Sequence, residues 1–137
     1  MKKIKSAFFI KNAGIFLLLI SIQCCDPGCT IRYGIENKTL SPITVKSQFV
    51  FSTSNDTIIK EDVVNPNSKT IINEESPTGT VEGVDKSRDS IYFYNLTLEQ
   101  RGKISKKNFK NKCIWTLLKI NKYEAMYLLV VDSSYFR

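Results

Sequence analysis

Residues 30–36, Thr-Ile-Arg-Tyr-Gly-Ile-Glu, put Ile31, Tyr33 and Ile35 on one side of an extended chain and polar or small residues on the other. A period of two belongs to a strand that buries one face, and a slip of one residue would turn all three apolar side chains to water. The period restarts over Ile43, Val45, Phe49 and Phe51, with Thr44, Lys46 and Gln48 on the opposite face. Further short apolar runs occupy residues 57–64, 69–73, 91–98, 113–120 and 126–131. They are separated by turn-forming stretches: Asn37–Pro42, Ser52–Asp56, Asn65-Pro66-Asn67-Ser68, Glu74–Asp89 and Asn121–Glu124. Ile114, Leu117, Leu118 and Ala125 also fit a helical stripe. The β-branched residues, the break at Asn121 and the run from Tyr127 to Val131 favour strands. About seven strands at even spacing predict an all-β, antiparallel β-sandwich of immunoglobulin-like proportions, with Trp115 as a candidate core plug. The Cys…Trp…Cys order of antibody domains is absent, so the expectation concerns architecture alone. The segment Glu74–Asp89, rich in Gly, Pro, Ser and charge, reads as a long mobile loop.

The N-terminus has a different grammar. Lys2, Lys3, Lys5 and Lys11 surround Phe8-Phe9-Ile10, and Ala13–Ile22 is uncharged, with seven of its ten residues Ile, Leu or Phe. A membrane-spanning helix needs about 20 apolar residues, and extending the run back through Lys11 would bury a charge in hydrocarbon. A basic stretch followed by a short apolar one is the pattern of an export signal. An ordinary secreted protein or an uncleaved anchor is the alternative reading. A zinc knot at Cys24, Cys25 and Cys29 is disfavoured, because the chain has no histidine and Cys113 is distant.

Where a small-x-small cleavage site would stand, the chain has Ile22-Gln23-Cys24-Cys25, which resembles the lipobox of bacterial lipoproteins. The resemblance implies acylation of Cys25, with Cys24 as the alternative, and removal of the preceding residues. Cys25 has the preferred aliphatic residue, Ile22, three places before it, whereas Cys24 has Ser21 there and the bulky Gln23 beside the cut. The implied organisation is a signal peptide over 1–24, a lipidated cysteine and short tether over 25–29, and a β-sandwich domain over 30–137. With "IRYGIENKT", "NPNSKTII", "SIYFYNLTL" and the aromatic strand around Trp115, the chain resembles the small lipoproteins of Bacteroidota. That resemblance brings no activity with it. It implies a location in the cell envelope, on the outer membrane. Asp56-Thr57-Ile58 and Asp89-Ser90-Ile91 also resemble the Asp-(Ser/Thr)-aliphatic O-glycosylation pattern of that phylum, at Thr57 and Ser90. In an exported chain Cys29 and Cys113 are a candidate disulfide, with two unpaired thiols as the alternative.

The whole chain carries 20 basic and 13 acidic residues, a net charge of +7. Four of those lysines precede Cys24, so the chain from Cys25 onward carries +3, and the high charge is poor support for nucleic-acid binding. Charge is unevenly placed: residues 101–122 hold eight cations and no acid, leaving −5 for the rest of the mature chain. Lys106, Lys107, Lys110 and Lys112, interleaved with Phe109, form a candidate contact for an anionic lipid or glycan. A soluble loop guarding two adhesive strands is the alternative. The absence of histidine excludes Ser-His and Cys-His catalysis, and no phosphate loop or dinucleotide fingerprint is present. Glu61-Asp62 and Glu74-Glu75 are adjacent in sequence, whereas glycosidase carboxyls face each other across a pocket. No catalytic set, cofactor or metal is therefore expected. The reading is a non-enzymatic, lipid-anchored interaction module of the cell envelope whose partner is the membrane and an anionic lipid, glycan or envelope protein. The alternative is a periplasmic or surface protein that binds a glycan or inhibits an exported enzyme through the 74–89 loop.

Overall fold

The computed structural model describes residues 27–50, 57–91, 93 and 95–137. The predicted signal segment and lipidated cysteine, the predicted turn at 52–56, Tyr92 and Tyr94 lie outside the described residues. The described residues form eight strands: β1 (Thr30–Asn37), β2 (Ile43–Val50), β3 (Thr57–Val64), β4 (Lys69–Glu75), β5 (Asn95–Gln100), β6 (Lys103–Ile104), β7 (Thr116–Asn121) and β8 (Glu124–Val131). One short helix, α1 (Val81–Lys86), lies between β4 and β5. The strands make two four-stranded sheets, ordered β4-β1-β8-β7 and β3-β2-β5-β6, packed face to face as a sandwich. Among the described residues no helix is long and apolar enough to cross a membrane.

The alternation in β1 has the predicted effect. Ile31, Tyr33 and Ile35 are fully buried and meet Ile43, Val45 and Leu98 of the opposite sheet in one core. Its centre is aromatic. The Tyr33 ring stacks on Tyr127 at 5.6 Å and meets Phe93 edge-on at 5.1 Å, while Phe93 stacks on Trp115 at 6.0 Å. Trp115 satisfies its indole N–H by donating to the Phe109 carbonyl at 2.9 Å, as a buried tryptophan must. A bulge between Tyr33 and Gly34 gives β4 one extra residue, Ile72, which is fully buried.

Three features depart from expectation. The sandwich is not wholly antiparallel, because β1 and β8, the first and last strands described, run parallel along their full lengths, Thr30 beside Glu124 and Asn37 beside Val131. Parallel neighbours need a crossover, and here the whole intervening domain supplies it. In the apolar run at 91–98 strand β5 starts at Asn95, and Ile91 and Phe93, outside that strand, are buried in the core. The third departure is helix α1, inside what reads as a mobile loop. Thr80 caps it by accepting from the Gly83 N–H at 3.2 Å, and Val81 and Val84 bury one face.

The strand directions give the sandwich two distinct ends. At one end β1 and β8 begin and β4 and β7 finish; at the other β1 and β8 finish and β2 begins. The second end is tied by a buried polar knot. Asn37 donates to the Ser41 and Val64 carbonyls at 2.9 Å each and accepts from the Thr39 N–H at 2.8 Å, and Gln100 adds a bond to Ser41 O at 3.0 Å. Arg101 and Gly102, both at positive φ, form the two-residue turn between β5 and β6 at that end.

Candidate functional site

Helix α1 and the chain after it form one wall of a cleft of about 460 Å³. Asp85, Arg88 and Asp89 come from that wall. Lys112, Cys113, Trp115 and Leu117 come from the 3-10 turn at Lys112–Ile114 and the start of β7, and Tyr127 comes from β8. Asn111 starts the turn by accepting from the Cys113 N–H at 3.0 Å, which fixes Lys112 facing the helix.

The polar groups in and behind the cleft are matched in pairs. Lys112 Nζ lies 2.6 Å from an Asp85 carboxylate oxygen and donates to the Asp85 carbonyl at 2.5 Å, where it complements the C-terminal end of α1. The Tyr127 hydroxyl donates to the same carboxylate. Deeper, Arg88 grips Glu75 with two nitrogens, Nη2 to Oε2 at 3.1 Å and Nη1 to Oε1, while the Tyr33 hydroxyl donates to Glu75 and accepts from Arg88 at 3.3 Å. The stacked Tyr33 and Tyr127 thus each present a proton to a different carboxylate.

Burial, and then the adjacent carboxylate, drives both phenols far above their ordinary pKa, so they remain hydrogen-bond donors at any physiological pH. Burial alone would raise the Asp85 pKa, but the hydrogen bonds from Lys112 and Tyr127 outweigh it and hold the carboxyl below its usual value. Burial would likewise lower the Arg88 pKa, and Glu75 reverses that. Charge is thus compensated within the wall of the cleft, with Asp89 exposed at the rim. Such an arrangement can hold a polar ligand at its mouth. Among the described residues no cluster of three or more cysteine and carboxylate side chains is assembled that could hold a metal.

The predicted site residues scatter. Lys106, Lys107 and Lys110 are exposed. Lys107 places its ammonium 5.2 Å from the centre of the Tyr135 ring, beyond the end of β8. Lys112 is different: it is drawn into the cleft by Asp85 and does not belong to a cationic surface with the other three. Cys29 is buried, and burial followed by the Glu75 charge pushes its thiol pKa up, whereas Cys113 is exposed. The two sulfurs are unbonded in this structure. Thr57 and Ser90 are exposed.

The tether beside Cys25 meets the sandwich at a defined place. Pro27 O accepts from Gly79 N at 3.0 Å, Gly28 bridges Thr78, and Cys29 N donates to Pro77 O at 2.8 Å. The next links are Thr30 N to Tyr123 O at 2.7 Å and Val81 N to Lys122 O at 3.1 Å. Residues 27–29 are therefore fastened to the end of the sandwich that carries the β7–β8 turn. The 74–89 segment holds both the dock for the tether and one wall of the cleft. Its helix was detectable as Thr80, a cap, before Val81 and Val84 at helical spacing, with Glu82 near the start and Lys86 near the end.

Compared with known protein families, curated proteins and solved structures, the chain matches none of them.

Proposed function

We propose that the chain is a lipid-anchored protein of the bacterial cell envelope, acylated at Cys25, that works as an interaction module rather than by chemistry of its own. The supporting observation is the docking of Pro27–Cys29 along residues 77–79, two residues after Cys25. An anchor so close to a fastened segment would hold one end of the sandwich at the membrane. The opposite end would project outward. That outer end carries Lys107 near Tyr135, along with Arg101 and Lys103 of the β5–β6 hairpin. β8 alone spans about 25 Å at strand rise, whereas charge is screened over about 8 Å at physiological salt. The exposed cations at that end would therefore meet an anionic partner other than the anchoring membrane, such as an acidic glycan or an envelope protein.

A second reading draws on the cleft. Asp85, Arg88 and Asp89, all from the 74–89 segment, line it and would bind a glycan or an exported enzyme at its mouth.

The two readings separate by substitution. Replacing Lys103 and Lys107 with alanine and Arg101, which sits at positive φ, with asparagine is expected to weaken binding of the protein to acidic polysaccharide, with a smaller salt dependence. Unchanged binding at low salt overturns the first reading. Loss of binding on Asp89→Ala alone favours the cleft.

A further inference from the structure

The end of the sandwich that holds the tether has a surface of its own. Between Lys119 and Asn121 the β7–β8 pairing slips by one residue, so Ile120 is the extra residue of a bulge and stands 57 % exposed. The turn that follows exposes Tyr123 at 36 %, with the Lys122 ammonium 5.2 Å from the centre of its ring. Asn121 fixes the turn by accepting from the Tyr123 N–H at 2.8 Å. Beside it a concavity of about 300 Å³ is lined by Thr80, Val81, Glu82, Lys119, Asn121 and Lys122. Glu82, the one acid there, is held by Lys86 at 2.7 Å through one oxygen and lies 3.9 Å from Lys119 through the other. Lys119 is thus only loosely engaged, and among the described residues Lys122 carries no such pair in the hollow.

From this geometry we infer that the β7–β8 turn is a bilayer-contacting element: Ile120 and Tyr123 enter the lipid–water interface, and the hollow between Lys119 and Lys122 seats the headgroup of an anionic phospholipid. The inference rests on the lipid-anchor reading above. Pro27 lies two positions after Cys25, a reach of about 7 Å, comparable with the depth of a headgroup layer at roughly 5–8 Å. Pro27 is bonded to Gly79, and Val81, two residues further on, is bonded to Lys122, so an anchor at Cys25 draws the turn to the surface. A tyrosine beside lysines suits that depth, with an amphipathic ring at the interface and ammonium groups among the phosphates. Exposed apolar side chains alone would not choose this end, since Leu40 is 91 % and Ile104 59 % exposed at the other. The tether decides.

The test uses the acylated protein reconstituted in vesicles of phosphatidylethanolamine and phosphatidylglycerol and labelled with a water-soluble amine reagent. Labelling of each lysine is normalised to that in the unfolded protein and read by peptide mass spectrometry. Lys122 is expected to label several-fold more slowly than Lys106 and Lys107. A paired Ile120→Glu, Tyr123→Glu variant, still acylated, is expected to bring Lys122 back to the level of Lys106. The same spectra read the acyl chains on the N-terminal peptide. Acylated protein with Lys122 and Lys106 labelled alike, with Lys106 and Lys107 protected instead, or with no response to the paired variant overturns the orientation and leaves the anchor standing. An unacylated peptide overturns both.

Discussion

Replacing Arg88 with methionine removes the cation that grips Glu75 and leaves the carboxylate with the Tyr33 hydroxyl in a pocket where its side chain is only 12 % exposed. Breaking a buried ion pair from one side costs about 3–5 kcal/mol, because the surviving charge remains desolvated. The Arg88 side chain is 24 % exposed and Tyr33 still donates to Glu75. Both soften the loss, to about 2–3 kcal/mol for a pair of this burial. With a urea slope of about 1–1.5 kcal/mol per molar for a domain of this size, the unfolding midpoint should fall by about 2 M at unchanged slope. Adding Glu75→Gln removes the stranded charge while keeping an acceptor for Tyr33. The double variant should therefore be more stable than Arg88→Met alone, with a coupling of about 1–3 kcal/mol across the cycle. Equilibrium urea unfolding followed by Trp115 fluorescence measures all four corners. A single-variant loss below about 0.5 kcal/mol, or a double variant showing the full sum of the two single losses, would refute the claim that this pair is buried and mutually dependent.

Asp85 has a folded-state pKa depressed below the ordinary aspartate value, so it adds stability above that ordinary value and loses it as pH falls through the lower folded value. Acid titration of stability should accordingly show a smaller loss below about pH 4 in Asp85→Asn than in the parent, and identical acid limbs would count against it. Asn37→Ala takes the side-chain donor from the Val64 carbonyl and the acceptor from the Thr39 N–H, while the Ser41 carbonyl keeps Gln100 and Thr39; it should cost about 2–4 kcal/mol in urea unfolding, with a loss under about 0.5 kcal/mol contradicting the network. Of Cys29 and Cys113 in the folded protein, a water-soluble maleimide should modify Cys113 alone; modification of neither would mean that the two are bonded to each other.

The parts legible in the sequence are those written in local alternation. Ile31, Tyr33 and Ile35 announce a buried strand face because adjacent residues must point to opposite sides of a sheet, and each is fully buried. Trp115 stood out by size and lies at the aromatic centre. The parallel pairing of β1 with β8 left no local mark, since it joins residues about ninety positions apart and any apolar strand could have filled the place. Helix α1 leaves little periodicity, because six residues supply fewer than two turns, and its mark in the sequence is the cap at Thr80 with the charges at Glu82 and Lys86. Ile91 and Phe93 are apolar for the core's sake, yet Ile91 N–H bonds Lys110 O rather than a sheet neighbour. The basic segment was visible as charge, but charge carries no direction. Only the cap at Asn111 and the acid at Asp85 turn Lys112 inward, away from Lys106 and Lys107. The cleft was illegible for a related reason: it is assembled from three separate stretches of chain, and none carries a motif alone.

The account stands on a covalent event at Cys25, and the intact mass of the protein extracted from membranes reads it directly. The predicted result is a chain that begins at Cys25, or at Cys24 if the cut falls one residue earlier, with the added mass of acyl chains and no residue of the signal segment. A chain still carrying Met1 and no fatty acid would contradict the anchor, the envelope location and the outward-facing end together.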